Sequence, residues 1–127
     1  MNYLFTGIFV FFSSLFSCQP KGDYITLSVD EFETLIKDKH IQRLDVRTLG
    51  EYSEGHIPGA LNINVLNDSF VAMADSTLQK GEPVALYCRS GKRSKKAATI
   101  LSSKGYRVYE LGEGFNAWLE SGKEVEQ

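Results

Sequence analysis

The chemistry of this chain gathers around one thiol. Cys88 stands in the run Tyr87-Cys88-Arg89-Ser90-Gly91-Lys92-Arg93-Ser94, with Lys95 and Lys96 directly after it. A thiolate, not a thiol, is the nucleophile, and a free cysteine titrates near ~8.5; oriented N–H dipoles and neighbouring cations lower that value. The same field attracts an anion, whose oxygens Arg89, Lys92 and Arg93 are placed to hold by charge-assisted hydrogen bonds. These residues predict a nucleophile acting on an anionic substrate. A buried, inert cysteine serving as a small hydrophobe is the alternative.

The elements around the run support the first reading. Val84-Ala85-Leu86-Tyr87 is a short apolar stretch after the turn Gly81-Glu82-Pro83, as a buried strand requires. A helix is predicted over 94–104, with Ser94 as its N-cap, an inner face of Ala97, Ala98, Ile100 and Leu101, and a stop at Gly105. Cys88 thus falls in a loop at the carboxyl edge of a strand, where open α/β sheets bind ligands. A tight loop feeding a helix directs several N–H groups at one point and makes a nest for anions. Gly91 supplies the backbone freedom for the curl.

The rest of the chain alternates in the same way. Strands are predicted at 24–27, 41–46, 61–63 and 107–111. Helices are predicted from the Ser28/Glu31 capping box through Val29, Phe32, Leu35 and Ile36, over 49–54 up to Gly55, through Phe70, Val71, Met73 and Ala74, and over 115–119. Phe115 and Trp118 share a helix face and are expected in the core. Short strands alternating with helices give an α/β fold with a mostly parallel sheet covered on both faces.

The motifs then become specific. Cys88-Arg89-Ser90-Gly91-Lys92-Arg93-Ser94 resembles the active-site loop of single-domain rhodaneses. Leu44-Asp45-Val46-Arg47, Glu51-Tyr52 and the segment from Gly55-His56-Ile57-Pro58-Gly59-Ala60 to Leu61-Asn62-Ile63 resemble that family's N-terminal signature. Leu111-Gly112-Glu113-Gly114-Phe115-Asn116-Ala117-Trp118 resembles its C-terminal one. The resemblance implies a three-layer sandwich around a five-stranded sheet and a sulfurtransferase reaction through a Cys88 persulfide. It also implies that the amides of Arg89, Ser90, Gly91, Lys92, Arg93 and Ser94 surround the sulfur, and that no metal or organic cofactor is needed. The implied partners are a small anionic sulfur donor such as thiosulfate and a thiol or cyanide acceptor, with a protein acceptor or reductant as a further expectation. A sulfur carrier or partner-binding domain is the second reading. A cysteine-loop phosphatase or arsenate reductase is the third, and there the loop is one residue short, because Arg93 follows Cys88 by five positions rather than six.

Other polar residues have blander readings. Asp45 and Arg47 are expected to tie loops together by ionic hydrogen bonds. His56, a candidate general base by type, lies in a Gly-Pro turn that the resemblance assigns to architecture. His40 is solitary, Lys95 and Lys96 read as solvated helix positions, and two histidines with one available thiol fall short of a metal's ligand set.

Composition sets the outer bounds. The chain of 127 residues, 43% hydrophobic and 24% charged, has room for one domain, placed at 24–122 with a tail over 123–127. A net charge of -2 argues against nucleic-acid binding. Residues 3–16 are uncharged and apolar, shorter than the roughly 20 residues of a membrane span and of signal-peptide length. Leu15-Phe16-Ser17-Cys18 resembles a bacterial lipobox. That resemblance implies a signal over 1–17, lipid on Cys18, a tether over 18–23, and export to the cell envelope or periplasm; an uncleaved anchor is the alternative. With Cys18 so used, Cys88 has no disulfide partner, since the chain holds two cysteines.

Overall fold

The computed structural model describes residues 22–127. The leader, Cys18 and most of the tether lie outside them. Five strands, β1 (Ile25–Leu27), β2 (Gln42–Asp45), β3 (Leu61–Asn62), β4 (Val84–Tyr87) and β5 (Val108–Leu111), form one sheet of order β1-β5-β4-β2-β3, parallel at every pairing. The described helices are α1 (Val29–Leu35), α2 (Leu49–Glu54), α3 (Phe70–Thr77), α4 (Lys92–Ser103) and α5 (Gly114–Glu120).

The pleat of β4 divides the core. Val84 and Leu86 face one layer with Phe70, Ala74, Ala97, Ala98 and Leu101, so α3 and α4 cover that side. Ala85 and Tyr87 face the other with Phe32, Ile57, Phe115 and Trp118, where α1 and α5 pack. Every residue of β4 and β5 is buried, as expected of strands inside a doubly covered parallel sheet. This is the three-layer α/β sandwich, and Phe115 and Trp118 lie in its core as expected.

Side-chain caps account for two of the five described helix starts. Ser28 and Glu31 close a reciprocal capping box on α1, and Thr48 with Glu51 does the same on α2. The helix after Cys88 departs from expectation. It begins at Lys92, two residues before the expected start, and its N-cap is Gly91 in the left-handed region at φ 107. Ser94 is therefore not the cap. Its hydroxyl is fully buried and turned to Gly91 and Glu110, partners from the loop and from β5. Lys95 is exposed, and its ammonium also meets Glu110 Oε1 at 3.1 Å.

The ends of the domain are sewn down. The amide of Gly22 donates to the Ser102 carbonyl, and Trp118 Nε1 donates to the Glu124 carbonyl. The segment set apart as a tail forms an antiparallel bridge between Glu126 and His56.

Candidate active site

Cys88 follows β4 directly, so the sheet sets where its sulfur begins. The side chain is buried within the layer covered by α3 and α4. The chain then curls through Arg89 and Ser90 to Gly91, whose amide donates to Cys88 Sγ at 3.1 Å. Gly91 is required twice. Its φ lies in a region L side chains avoid, and a Cβ there would overlap the Gly112 carbonyl oxygen.

The inward amides have an outward counterpart. The carbonyl of Cys88 accepts from the Phe115 amide at 2.8 Å, and that of Arg89 from the Asn116 amide at 3.0 Å. The first turn of α5 thus takes the carbonyl oxygens of Cys88 and Arg89, on the side of the curl away from the Gly91 amide that donates to the sulfur. Gly114 makes this docking possible: it has φ 73, and a Cβ would overlap the Arg89 carbonyl and Ser90 amide.

The sulfur's electrostatics follow from this arrangement. Burial pushes the Cys88 thiol up. The Ser94 hydroxyl and the amides of Ser94, Gly91 and Ser90 pull it down, and the net direction is below the ordinary thiol value. The negative sulfur in turn adds to the forces that raise Arg93, of which the larger is its hydrogen bond to Glu51.

The basic residues divide into two groups. Arg93 forms a two-pronged pair with Glu51, Nη1–Oε1 at 2.8 Å and Nη2–Oε2 at 2.9 Å, and Glu51 is held down to about 2, first by that hydrogen bond. Arg89 and Lys92 project at the surface and near it, and Arg89 borders an open cleft of about 290 Å³. The other walls include Arg47, Glu54, Phe115, Leu119 and Val125. Of the loop residues singled out from sequence, Gly91 donates to the sulfur, Arg89, Ser90 and Lys92 are exposed, and Arg93 is engaged by Glu51.

Asp45 and Arg47 lie beside the loop. Arg47 Nε and Nη2 grip both Asp45 oxygens, Nη2 also reaches the Gly55 carbonyl, and the guanidinium stacks 4.3 Å from the Phe115 ring centre. Both residues are buried, so the pair ties the end of β2 to the turn after α2 and to α5. His56 is buried in that turn. Its ring stacks on Tyr52 at 3.7 Å, with Nδ1 2.8 Å from the Tyr52 carbonyl and Nε2 3.2 Å from Glu126. His40 is exposed.

Sequence reasoning missed three contributors. Glu51 carried a signal, as the fourth residue of a Thr48-x-x-Glu51 capping box, but nothing local marks it as the partner of Arg93. The Tyr87 hydroxyl oxygen accepts from the Ile57 amide at 2.9 Å, and burial pushes its phenol far up. Glu110, fully buried, accepts from Thr26 and Ser94 at 2.8 and 2.7 Å. A glutamate inside a strand gives no local hint of those partners. Among the described residues no group of His, Cys, Asp and Glu is arranged to hold a metal.

The structure thus places a buried cysteine just after β4, at the carboxyl edge of a parallel α/β sandwich, with the Gly91 amide donating to its sulfur. The family follows: residues 28–121 match the Rhodanese-like domain, and this chain belongs to the rhodanese family of sulfurtransferases. It is 32% identical to thiosulfate sulfurtransferase 18 of Arabidopsis thaliana, over 84% of this chain and 87% of that one. It is 35% identical to the thiosulfate sulfurtransferase GlpE of Shewanella oneidensis, over 75% and 92%. Among solved structures, a rhodanese-related protein of Thermoplasma volcanium superposes with TM-score 0.71 at 27% identity, covering 81% of this chain and 98% of that one.

Proposed function

We propose that this chain moves sulfane sulfur from thiosulfate, or a similar small anion, to a thiol or cyanide, with Cys88 as the carrier. In the first half-reaction the Cys88 thiolate attacks the outer sulfur of thiosulfate. A Cys88 S–S bond forms, the donor's S–S bond breaks, and sulfite leaves with that electron pair. In the second, an acceptor thiolate or cyanide attacks the outer sulfur of the persulfide. The acceptor–sulfur bond forms, giving a persulfide or thiocyanate, and Cys88 thiolate is restored. Both resting forms carry a negative charge inside the loop, and fixed N–H dipoles stabilise such charge without reorganising.

The observation that carries the reading is the 3.1 Å contact from the Gly91 amide to Sγ, at the mouth of a loop whose carbonyls point away. The surface position of Arg89 beside the cleft supports an anionic donor and a small or protein-borne thiol acceptor. Exposure to thiosulfate is expected to release sulfite and add one sulfur to Cys88, read by peptide mass spectrometry. Cys88→Ser is expected to abolish turnover while leaving the fold intact. Hydrolysis of an aryl phosphate with no gain of sulfur would replace this reading with a phosphatase. Sulfur gained only from a protein persulfide would replace it with a carrier.

The amino-terminal segment supports a second element of the proposal: export, cleavage before Cys18, and lipid attachment that holds the domain at a membrane of the cell envelope. Cys18→Ala should then move the protein from the detergent to the aqueous phase on partitioning; retention in detergent would favour an uncleaved anchor.

A further inference from the structure

The ammonium of Lys95 has no part in the reaction above, yet it sits where three segments of the chain meet. It contacts Glu110 Oε1 of β5 at 3.1 Å, the Gly112 carbonyl after β5 at 3.3 Å, and the Gly91 carbonyl of the loop at 3.4 Å. A lysine has three protons to donate and accepts none, so these acceptors engage all of them. Glu110 is fully buried. Thr26 of β1 shares its Oε1 at 2.8 Å, and its Oε2 accepts from the Ser94 hydroxyl at 2.7 Å. That hydroxyl also lies 3.0 Å from the Gly91 carbonyl. One buried carboxylate thus aligns two neighbouring side chains of α4 on the same carbonyl oxygen.

Gly91 is the residue whose amide reaches Cys88 Sγ, at 3.1 Å. Its Cα is packed against the Gly112 carbonyl and the Lys95 ammonium: an added Cβ would overlap the first and stand 3.2 Å from the second. We propose that Lys95, seated on Glu110, is a positioning residue that clamps Gly91 against the end of β5 and so keeps the Gly91 amide on the sulfur. With its protons engaged, Lys95 is not a cation offered to the donor anion; the exposed Arg89 and Lys92 are left for that part. The inference rests on the reading of Cys88 as the sulfur carrier, but it concerns the donor to the thiolate and can be tested without a sulfur donor.

The experiment removes one ammonium at each of two adjacent positions. Lys95→Met keeps an unbranched stem and loses the three N–H groups. Lys96→Met removes the same charge one residue on, from an exposed side chain. In the full chain, solvent exchange of the Gly91 amide is followed by NMR, and iodoacetamide alkylation of Cys88 is followed against pH by peptide mass spectrometry. Lys95→Met is expected to speed Gly91 exchange by about tenfold or more relative to the amides of β4, which report global opening. Below the wild-type midpoint it is expected to slow alkylation by about threefold or more, since a smaller thiolate fraction outweighs higher intrinsic nucleophilicity. Lys96→Met is expected to stay within about twofold of wild type on both readouts. Raising the salt to about 1 M shortens the screening length to about 3 Å and suppresses a through-space field, so the Lys95→Met effect should persist there.

Equal effects of Lys95→Met and Lys96→Met would overturn the proposal, as would a slowing that vanishes at high salt. An unchanged Gly91 exchange rate in Lys95→Met, or faster exchange with an unchanged alkylation profile, would overturn it too. Should Lys95→Met strand the buried carboxylate and fail to fold, Lys95→Met combined with Glu110→Gln removes the orphaned charge. That double variant must show the same faster exchange and slower alkylation. Both effects in a protein that gains no sulfur from thiosulfate would count against the sulfurtransferase reading alone; sulfur gain with unchanged Gly91 exchange would count against Lys95 alone.

Discussion

Arg93, in the first turn of α4, is clasped by Glu51 of α2 through two parallel N–H···O bonds of 2.8 and 2.9 Å. Its guanidinium is thus paired with a carboxylate 42 residues earlier in the chain. The pair ties the first turn of α4 to α2. It leaves the exposed Arg89 as the freer cation for an incoming anion.

Glu51→Gln should therefore destabilise the fold in a pH-dependent way. The Glu51 carboxyl is depressed to about 2 in the folded protein, first by its bond to Arg93. A depressed acid contributes stability above its unfolded value, near ~4.3, and loses it as pH falls toward the folded value. Urea unfolding should show the variant weaker than wild type by on the order of 1–3 kcal/mol at pH 7. The difference should close between roughly pH 4.3 and pH 2. A gap that stays constant down to pH 2.5 would show that the pair is not its source.

Gly114→Ala tests the docking of α5 on the loop. The added methyl would meet the Arg89 carbonyl and the Ser90 amide, at a backbone angle that favours glycine. Overpacking against main chain together with a positive φ should cost about 2–4 kcal/mol in thermal or urea unfolding. Because relief can come only by lifting α5 from the loop, sulfur transfer should fall by about tenfold or more under conditions where the variant is still folded. Wild-type turnover in a folded Gly114→Ala protein would mean that the carbonyl bonds to Phe115 and Asn116 do not organise the amides.

Asp45→Ala probes a different kind of dependence. Removing Asp45 strands the buried Arg47 guanidinium, whose remaining polar contact is the Gly55 carbonyl. Breaking one side of a buried ion pair costs about 3–5 kcal/mol. Denaturation midpoints should drop accordingly, whereas Asp45→Ala combined with Arg47→Leu should recover much of the loss. No recovery in the double variant would show that Asp45 acts through the Arg47 amide and the local turn rather than through the charge it neutralises.

The chain's own patterning carries the sheet and most helices. The apolar run at Val84–Tyr87 is the strand as expected, and the Ser28/Glu31 box marks α1 at its observed start. The helix after Cys88 starts ahead of Ser94, which has the residue type of an N-cap but whose hydroxyl is claimed by Glu110, a residue sixteen positions away on β5. Likewise Arg93 looks available to an anion when only its neighbours are read, and its occupant arrives from α2. The loop's sequence marks Cys88 as the candidate nucleophile and Gly91 as the point of the curl. It holds no record of which cations and hydroxyls the tertiary fold has already engaged.

The carbonyl bonds from α5 also bear on how the site meets its ligand. With its outward oxygens already tied to Phe115 and Asn116, the curl after β4 has little left to order when an anion arrives. On the proposed function, recognition of a donor of a few atoms would then cost little backbone ordering.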